Sequence, residues 1–190
     1  YTVTVTDANA CTATTSATIS QPTALDVTQS VTNVVCNGGN NGAIDLNVSG
    51  GVLPYSYNWS NGATTQDVIN LTAGTYTVTV QDINACSVVR TIQVTQPVPM
   101  TATAGAAPVS CNGANDGAIT VNVTADAVAP FAFMWNNGTG SMTGNNIQNN
   151  PFILLGLTAG TYNLTITNAN GCTAVTSATV AQPAALTATA

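Results

Sequence analysis

The residues best suited to chemistry in this 190-residue chain are five cysteines that stand at recurring positions. Cys11, Cys86 and Cys172 each end a similar eleven-residue phrase, whereas Cys36 and Cys111 each precede an Asn-Gly pair. The sequence has no histidine and no Cys-x-x-Cys pair, so a zinc site has no support. Regular placement of this kind predicts disulfides formed in an oxidising compartment, and no cofactor.

The phrase before three of these cysteines has the pattern of a β-hairpin. In Tyr76–Cys86 (YTVTVQDINAC), apolar and small polar residues alternate, which predicts a half-buried strand. The Asp/Asn-rich tetrapeptide that follows predicts a turn, because such side chains bond to nearby backbone and tolerate a positive φ. Related phrases occupy 1–11 and 162–172, so we interpret the chain as an array of repeats.

Gln-Pro pairs at 21–22, 96–97 and 182–183 close the repeats. We therefore expect the last hairpin of a preceding repeat at 1–22, complete repeats at 23–97 and 98–183, and the first strand of a following repeat at 184–190. Since the chain begins within a hairpin, we interpret it as a piece of a longer protein. In the first complete repeat the pattern predicts strands at 25–35, 43–48, 55–59, 67–71, 75–80 and 86–94.

Many short strands without helical periodicity predict an all-β fold of tandem immunoglobulin-like β-sandwich domains arranged end to end. The Leu-x-Ala-Gly-Thr-Tyr runs at 71–76 and 157–162 are typical of the corner before strand F, where a tyrosine hydroxyl bonds back to the backbone. In strand C of each repeat, aromatic residues occupy every second position and therefore lie on one face of the strand. We interpret them as core, with a carbohydrate platform as the alternative: Tyr55, Tyr57, Trp59, Phe131, Phe133 and Trp135.

Two disulfide pairings remain open. In one, each repeat closes on itself through Cys36–Cys86 and Cys111–Cys172. In the other, Cys36 pairs with Cys172 of the next repeat, and the two remaining repeat cysteines pair with units outside this chain. Sandwich geometry favours the second, because a strand of about eight residues separates opposite ends of a domain by roughly 25 Å. Bridged Cα atoms lie within about 7 Å of each other.

The sequence lacks residues suited to catalysis. The sequence has no His, Lys or Glu, and its seven Asp residues are scattered, so general acid–base chemistry lacks its usual groups. No serine or cysteine has a base to activate it, and we predict that the protein is not an enzyme. The loops Asn112–Asp116 and Asp7–Asn9 offer one carboxylate each, which gives calcium little support and favours ordinary Asx turns.

Charge excludes further classes of partner. The formal net charge is −6 and Arg90 is the single cation, which argues against nucleic acid. No apolar run reaches the ~18 residues that membrane insertion requires. Only 4% of the residues are charged, and a surface of Thr, Asn, Ser and Gly predicts an extracellular or cell-surface location.

The two repeats differ in kind at one place. The second is longer by 11 residues, almost all of them between Trp135 and Leu157. We predict that the insertion near 136–152 is a lengthened surface loop, because loops of this composition close at little cost and carry recognition. The candidate recognition residues are Asn136, Asn137, Thr139, Met142, Asn145, Asn146 and Gln148.

In combination these motifs resemble the SprB-type repeats of large surface proteins in gliding and other Bacteroidota. The matching residues of the first repeat are Val35–Ile44, Ser49–Gly51, Pro54–Thr65 and Leu71–Cys86. The second repeat keeps Val109–Gly113 and Asn115–Gly117 but departs at Thr124–Asp126, where the first has Gly-Gly. The resemblance implies export by the type IX pathway and a role in gliding motility or attachment as a surface adhesin or filament.

Together, these features favour a structural stalk or filament segment of a large secreted adhesin. Its partners would be neighbouring repeats, laterally packed copies or surface glycans. One alternative is an adhesin module that binds a glycan or a protein through the 136–152 insertion. Another is a subunit of an extracellular polymer completed by strand exchange.

Overall fold

The computed structural model describes residues 1–137 and 141–188, in which the chain forms fifteen β-strands and no helix. It follows that these residues contain no helix of the length and apolarity needed to cross a bilayer. The prediction of an all-β chain is confirmed. The strands are β1 (Thr2–Thr6), β2 (Thr12–Ser16), β3 (Asp26–Thr32), β4 (Gly42–Ser49), β5 (Ser56–Trp59), β6 (Val68–Leu71), β7 (Gly74–Gln81), β8 (Ser87–Val94), β9 (Thr101–Ala107), β10 (Gly117–Ala125), β11 (Phe131–Asn136), β12 (Ser141–Ile147), β13 (Phe152–Leu157), β14 (Gly160–Thr167) and β15 (Thr173–Val180).

The strands belong to two compact units whose segments interleave along the sequence. Unit 1 consists of Tyr1–Ser30, Ile44–Val68 and Thr75–Ile92. Unit 2 consists of Val31–Ala43, Ile69–Gly74 and Gln93–Ala190. The loop that carries Cys36 is therefore part of the same unit as the whole of the second repeat.

In unit 1, the alternation of residue types decides which side chains are buried. Val78 and Val80 of β7 are fully buried, whereas the threonines between and before them are not. Trp59 of β5 lies opposite Val78 in the antiparallel β5–β7 pair and is itself 2% exposed. Its indole N–H donates to the carbonyl of Thr65 (2.8 Å), so the buried ring keeps its one polar group bonded.

In unit 2, two antiparallel sheets enclose one continuous core. One sheet has the order β13-β10-β9 and the other β12-β11-β14-β15. Alternate residues of β10 and β14 are buried, because period-two apolar patterning turns one face of each strand inward. Residues buried to 1% exposure or less form the centre: Ile119, Val121, Phe131, Tyr162, Leu164, Ile166 and Val180.

Tyr162 makes the corner bond that the sequence predicts. Its side chain is 1% exposed, and its hydroxyl donates to the backbone carbonyl of Thr158 (2.8 Å). The ring also packs edge-on against Trp135, with centroids 4.8 Å apart. This bond fixes the turn into β14, so the strand enters the core in a single register.

The insertion of the second repeat is not the loop that we predicted. Its residues 141–147 form β12, which extends the sheet by pairing antiparallel with β11. Met142 lies opposite Trp135 and Ile147 lies opposite Phe131. Packing between these apolar side chains across the two strands stabilises the pairing, although the insertion also contains Gly and Asn.

Candidate functional site

Cys36 and Cys172 form a disulfide, with their Cα atoms 5.4 Å apart and a sequence separation of 136 residues. Of the two pairings that the sequence allows, the one across the repeats is present. The pairing within repeats, Cys36–Cys86 and Cys111–Cys172, is wrong because each of those pairs shares a residue with the observed bond. The remaining cysteines, Cys11, Cys86 and Cys111, are free and exposed.

The loop that carries Cys36 is held rigid by side chains acting on its backbone. Asn41 accepts a hydrogen bond from the N–H of Val35 (3.0 Å), and Gln96 accepts one from the N–H of Gly38 (2.7 Å). The Asn37 amide donates to the carbonyl of Pro97 (3.0 Å). The Gln-Pro pair that closes the repeat therefore has a structural task, which is to fix the cysteine loop.

The hairpin that carries Cys172 is fixed by Asn168, which is 5% exposed. Its Oδ1 accepts hydrogen bonds from the N–H groups of Asn170 (3.0 Å) and Cys172 (2.9 Å). Its Nδ2 donates to the carbonyl of Asp126 (2.9 Å). An Asx turn of this kind presents the cysteine at a defined place and leaves the buried amide fully bonded.

The disulfide is partly buried by the chain around it. Cys172 is 5% exposed, and Cys36 is half-buried against the core of unit 2. The Cys36 sulfur lies 3.9 Å from the carbonyl oxygen of Asn170, and the Cys172 sulfur lies 3.6 Å from that of Val35. Since a disulfide sulfur carries no hydrogen, these are packing contacts. The loop and the hairpin thus touch on both sides of the covalent bond.

The carboxylates in the equivalent turns accept backbone hydrogen bonds. Burial raises the pKa of Asp82, but donation from the N–H groups of Val52, Cys86 and Asn84 outweighs this effect and holds the pKa below its ordinary value. The N–H of Ser110 donates to Asp116 (3.0 Å) and lowers the pKa of that carboxyl. These groups act as turn caps. Within residues 1–137 and 141–188, no three His, Cys, Asp or Glu side chains cluster as a metal site would require.

A second feature of unit 2 is a cleft of about 780 Å³ beside the two edge strands β12 and β13. Phe133, Trp135 and Met142 line one part of it, and Phe152 and Leu154 of β13 line another. Phe133 and Phe152 stack with their centroids 5.7 Å apart. The described lining residues include none that carries a charge, so the cleft suits an uncharged ligand.

The candidate recognition residues are only partly brought together. Met142 is 59% exposed and lines the cleft, as does Asn137, whereas Asn136 ends β11 and is exposed. Asn145 and Asn146 lie in β12, and Asn146 has a positive φ (60°) and accepts a hydrogen bond from Gln148 (2.9 Å). Thr139 lies outside the described residues.

Sequence reasoning missed the contribution of β13. Ile153 and Leu155 are 58% and 74% exposed on this edge strand and line the cleft together with buried Phe152. The signal was the run Phe152–Leu157, whose apolar residues occupy both faces of a strand. Of the aromatic residues on strand C, Trp59 and Phe131 are core as predicted, whereas Phe133 and Trp135 are half-buried at the cleft.

Two stretches of the chain, residues 28–64 and 103–140, match the family model described as the SprB repeat. This match confirms the resemblance drawn from the motifs. SprB repeats belong to cell-surface proteins, and the two matched stretches support a repeat module of the surface-adhesin type. No curated protein matches the chain.

Among solved structures, the chain is similar to the three N-terminal domains of the highly immunogenic outer capsid protein (Hoc) of bacteriophage RB49. Identity is 16% and the TM-score is 0.50 over 84% of this chain. The chain spans 59% of that structure's length. The amphioxus IgVJ-C2 molecule is 18% identical, with a TM-score of 0.35, over 78% of this chain and 100% of its own. The likeness to the RB49 domains, together with the two-sheet topology of unit 2, fits the predicted immunoglobulin-like fold.

Proposed function

Since two stretches of this chain match a repeat of cell-surface proteins, we propose that it is a load-bearing segment of an extracellular stalk or filament. The observation that supports this role is the Cys36–Cys172 disulfide, which joins one repeat covalently to the next. Short Gln-Pro junctions and the half-buried position of the bond suit a connection that resists extension. Folds of this kind typically serve structural or adhesive purposes rather than catalysis.

The mechanical argument follows from the position of the two cysteines. Tension applied to the ends of the chain reaches Cys36 from one side and Cys172 from the other. The bond carries that tension directly. The segment between the two cysteines, which are 136 residues apart in sequence, is therefore not stretched. Most strands of both repeats would therefore stay folded under a load that extends the flanking residues.

Single-molecule force spectroscopy through the two termini tests this role. Under oxidising conditions we expect extension of the flanking residues alone. Reduction should release a further 450–490 Å or so, because 136 residues extend by about 3.3–3.6 Å each. The Cys86→Ser/Cys111→Ser variant is the matched control and should extend like the wild type. Equal extension with and without reductant would contradict the load-bearing role.

The extracellular location is part of the same proposal. Its support is the disulfide, which persists in oxidising compartments, together with the surface proteins that carry such repeats. We also propose export by the type IX pathway and a part in gliding or attachment, for which the resemblance to the family is the only support. We expect Cys36 and Cys172 to resist thiol labelling in denatured protein recovered from the cell surface. Full labelling of all the cysteines would contradict this location.

The cleft supports a second candidate function, which is ligand binding. The insertion that distinguishes the second repeat supplies β12 and therefore one wall of the cleft. Aromatic rings and neutral polar groups suit an uncharged glycan, whose apolar sugar faces pack on such rings; a protein segment is the other class. Among the residues described, exposed apolar side chains also line the cleft: Met142, Ile153 and Leu155.

Fluorescence titration with neutral polysaccharides tests this candidate. The Trp59→Phe variant leaves Trp135, which lines the cleft, as the single tryptophan reporter. Binding should shift its emission, and Met142→Lys should abolish the shift. Met134→Lys is the matched control, because Met134 is similarly exposed (54% against 59%) but does not line the cleft. An unchanged emission with every polysaccharide would leave the stalk as the function.

A further inference from the structure

The three hairpin turns of this chain have one geometry but different environments. The backbone N–H groups of Cys11, Cys86 and Cys172 each donate to the side-chain oxygen of an Asx residue four positions earlier, at 2.8, 2.9 and 2.9 Å. The residue before each cysteine has a φ of 66°, 66° and 82°. Cys172 is bonded and 5% exposed, whereas Cys11 and Cys86 are free and exposed. The hairpin turn is thus covered by a cysteine loop at Cys172 and is uncovered at Cys11 and Cys86.

The Cys111 loop repeats the Cys36 loop bond for bond. Asp116 accepts from the N–H of Ser110 (3.0 Å), as Asn41 does from Val35. Gln182 accepts from the N–H of Gly113 (3.2 Å), and the Asn112 amide donates to the carbonyl of Pro183 (3.0 Å). Gly38 and Gly113 have φ values of 76° and 79°. The free loop is therefore already in the conformation that the bonded loop has.

We call the contact between the Cys36 loop and the Cys172 hairpin the joint. We propose that the Cys111 loop and the Cys86 hairpin are the two unpaired parts of further joints of this kind. Cys111 would accept a hairpin cysteine, and Cys86 a loop cysteine, from another copy of this repeat. This inference rests on the proposed stalk function and names its partner. Because the two parts differ, the contact is head-to-tail, and its repetition joins copies into open chains or closed rings.

The coupling is an oxidation with a defined balance. The thiols of Cys111 on one copy and Cys86 on another lose two protons and two electrons, and one S–S bond forms. A small-molecule disulfide is the oxidant; its own S–S bond breaks, and it leaves as two thiols. A mixed disulfide between one protein thiol and half of the oxidant is the intermediate. Contacts between the loop and the hairpin, like those around Cys36 and Cys172, then place the second thiol for attack.

Oxidation of the purified chain in a glutathione buffer tests the proposal. The Cys11→Ser variant is the starting protein, so that one hairpin thiol and one loop thiol remain free. Peptides joined by disulfides are then mapped by mass spectrometry. We expect Cys36–Cys172 within each chain and Cys111–Cys86 between chains, with this mixed pair exceeding the like pairs by about tenfold or more. Random collision would give only twice as much mixed pair as each like pair.

Variants and dilution separate the outcomes. Adding Cys86→Ser should abolish the head-to-tail oligomers, and dilution should reduce the Cys111–Cys86 pair because it forms between molecules. The inference would be overturned if like and mixed pairs formed in random proportions. It would also be overturned by a Cys86–Cys111 bond inside one chain, which would not depend on concentration. Neither result would affect the proposed stalk function. Loss of Cys36–Cys172 itself would instead remove the support for the stalk.

Discussion

Arg90 is the single basic side chain of this protein, and it separates the cysteines in a useful way. A protease specific for Lys and Arg cuts the denatured chain once, into fragments that carry Cys11, Cys36 and Cys86 on one side and Cys111 and Cys172 on the other. The observed Cys36–Cys172 bond should hold the two fragments together on a non-reducing gel. Pairing within repeats would let them separate without reductant.

Acid sensitivity also belongs to individual residues. The pKa values of Asp82 and Asp116 lie below the ordinary value of an aspartate. Their contribution to stability is fully present above the unfolded-state pKa of about 3.9 and is lost as the pH falls through the lowered folded-state pKa. We expect the melting temperature of the protein to fall between about pH 5 and pH 2.

The chain itself supplies the control for this prediction. Asn168 and Asn41 occupy the positions equivalent to Asp82 and Asp116 and cap the same turns. The Asp82→Asn/Asp116→Asn variant should therefore fold and show a flatter dependence of melting temperature on pH. An unchanged slope would mean that these carboxyls do not govern the acid response.

At this scale the sequence predicts much of the joint. The positions of the cysteines, the Asx turns and the corner bond of Tyr162 follow from local patterns alone. The choice between Cys86 and Cys172 as the partner of Cys36 does not, because it depends on which strand ends meet in three dimensions. The role of Gln96 in fixing the cysteine loop also escapes local reasoning, since its partner, Gly38, lies 58 residues earlier.

Among the elements, β12 is where the pattern of residue types misleads. Gly and Asn disfavour a strand, yet β11 offers a free edge and apolar partners, and tertiary pairing outweighs propensity. The other strands of the second repeat keep clear alternation and could be predicted. The cleft depends on β12, so it could not be predicted either.

Gly144 provides a test of this strand. It lies opposite Phe133, and a Cβ added there would overlap the Phe133 ring, which would have to shift from its stacked position on Phe152. Gly144→Ala should lower the free energy of unfolding by about 1–3 kcal/mol, measured by urea denaturation. Gly105→Ala in β9 meets no atom within 4 Å and is the control. Equal effects would show that β12 does not pack as described.

For the whole molecule, the long disulfide loop makes a large contribution to stability. Cross-linking residues 136 apart restricts the unfolded chain, and losing such a bond costs about 2–5 kcal/mol. Cys36→Ser should therefore lower the melting temperature clearly, whereas Cys86→Ser, at a free and exposed position, should leave it nearly unchanged. If reductant fails to lower the wild-type melting temperature, the bond does not contribute in this way.

The outer faces of the strands carry paired threonines in place of charges. Hydroxyl groups meet across strands at Thr4 and Thr14, Thr77 and Thr91, Thr101 and Thr124, and Thr161 and Thr179. In the described part of the chain, Arg90–Asp26 is the salt bridge found, and both side chains are well exposed. Neutral bonds of this kind are barely screened by dissolved ions. The stability of this surface should therefore be the same in fresh water and in concentrated salt.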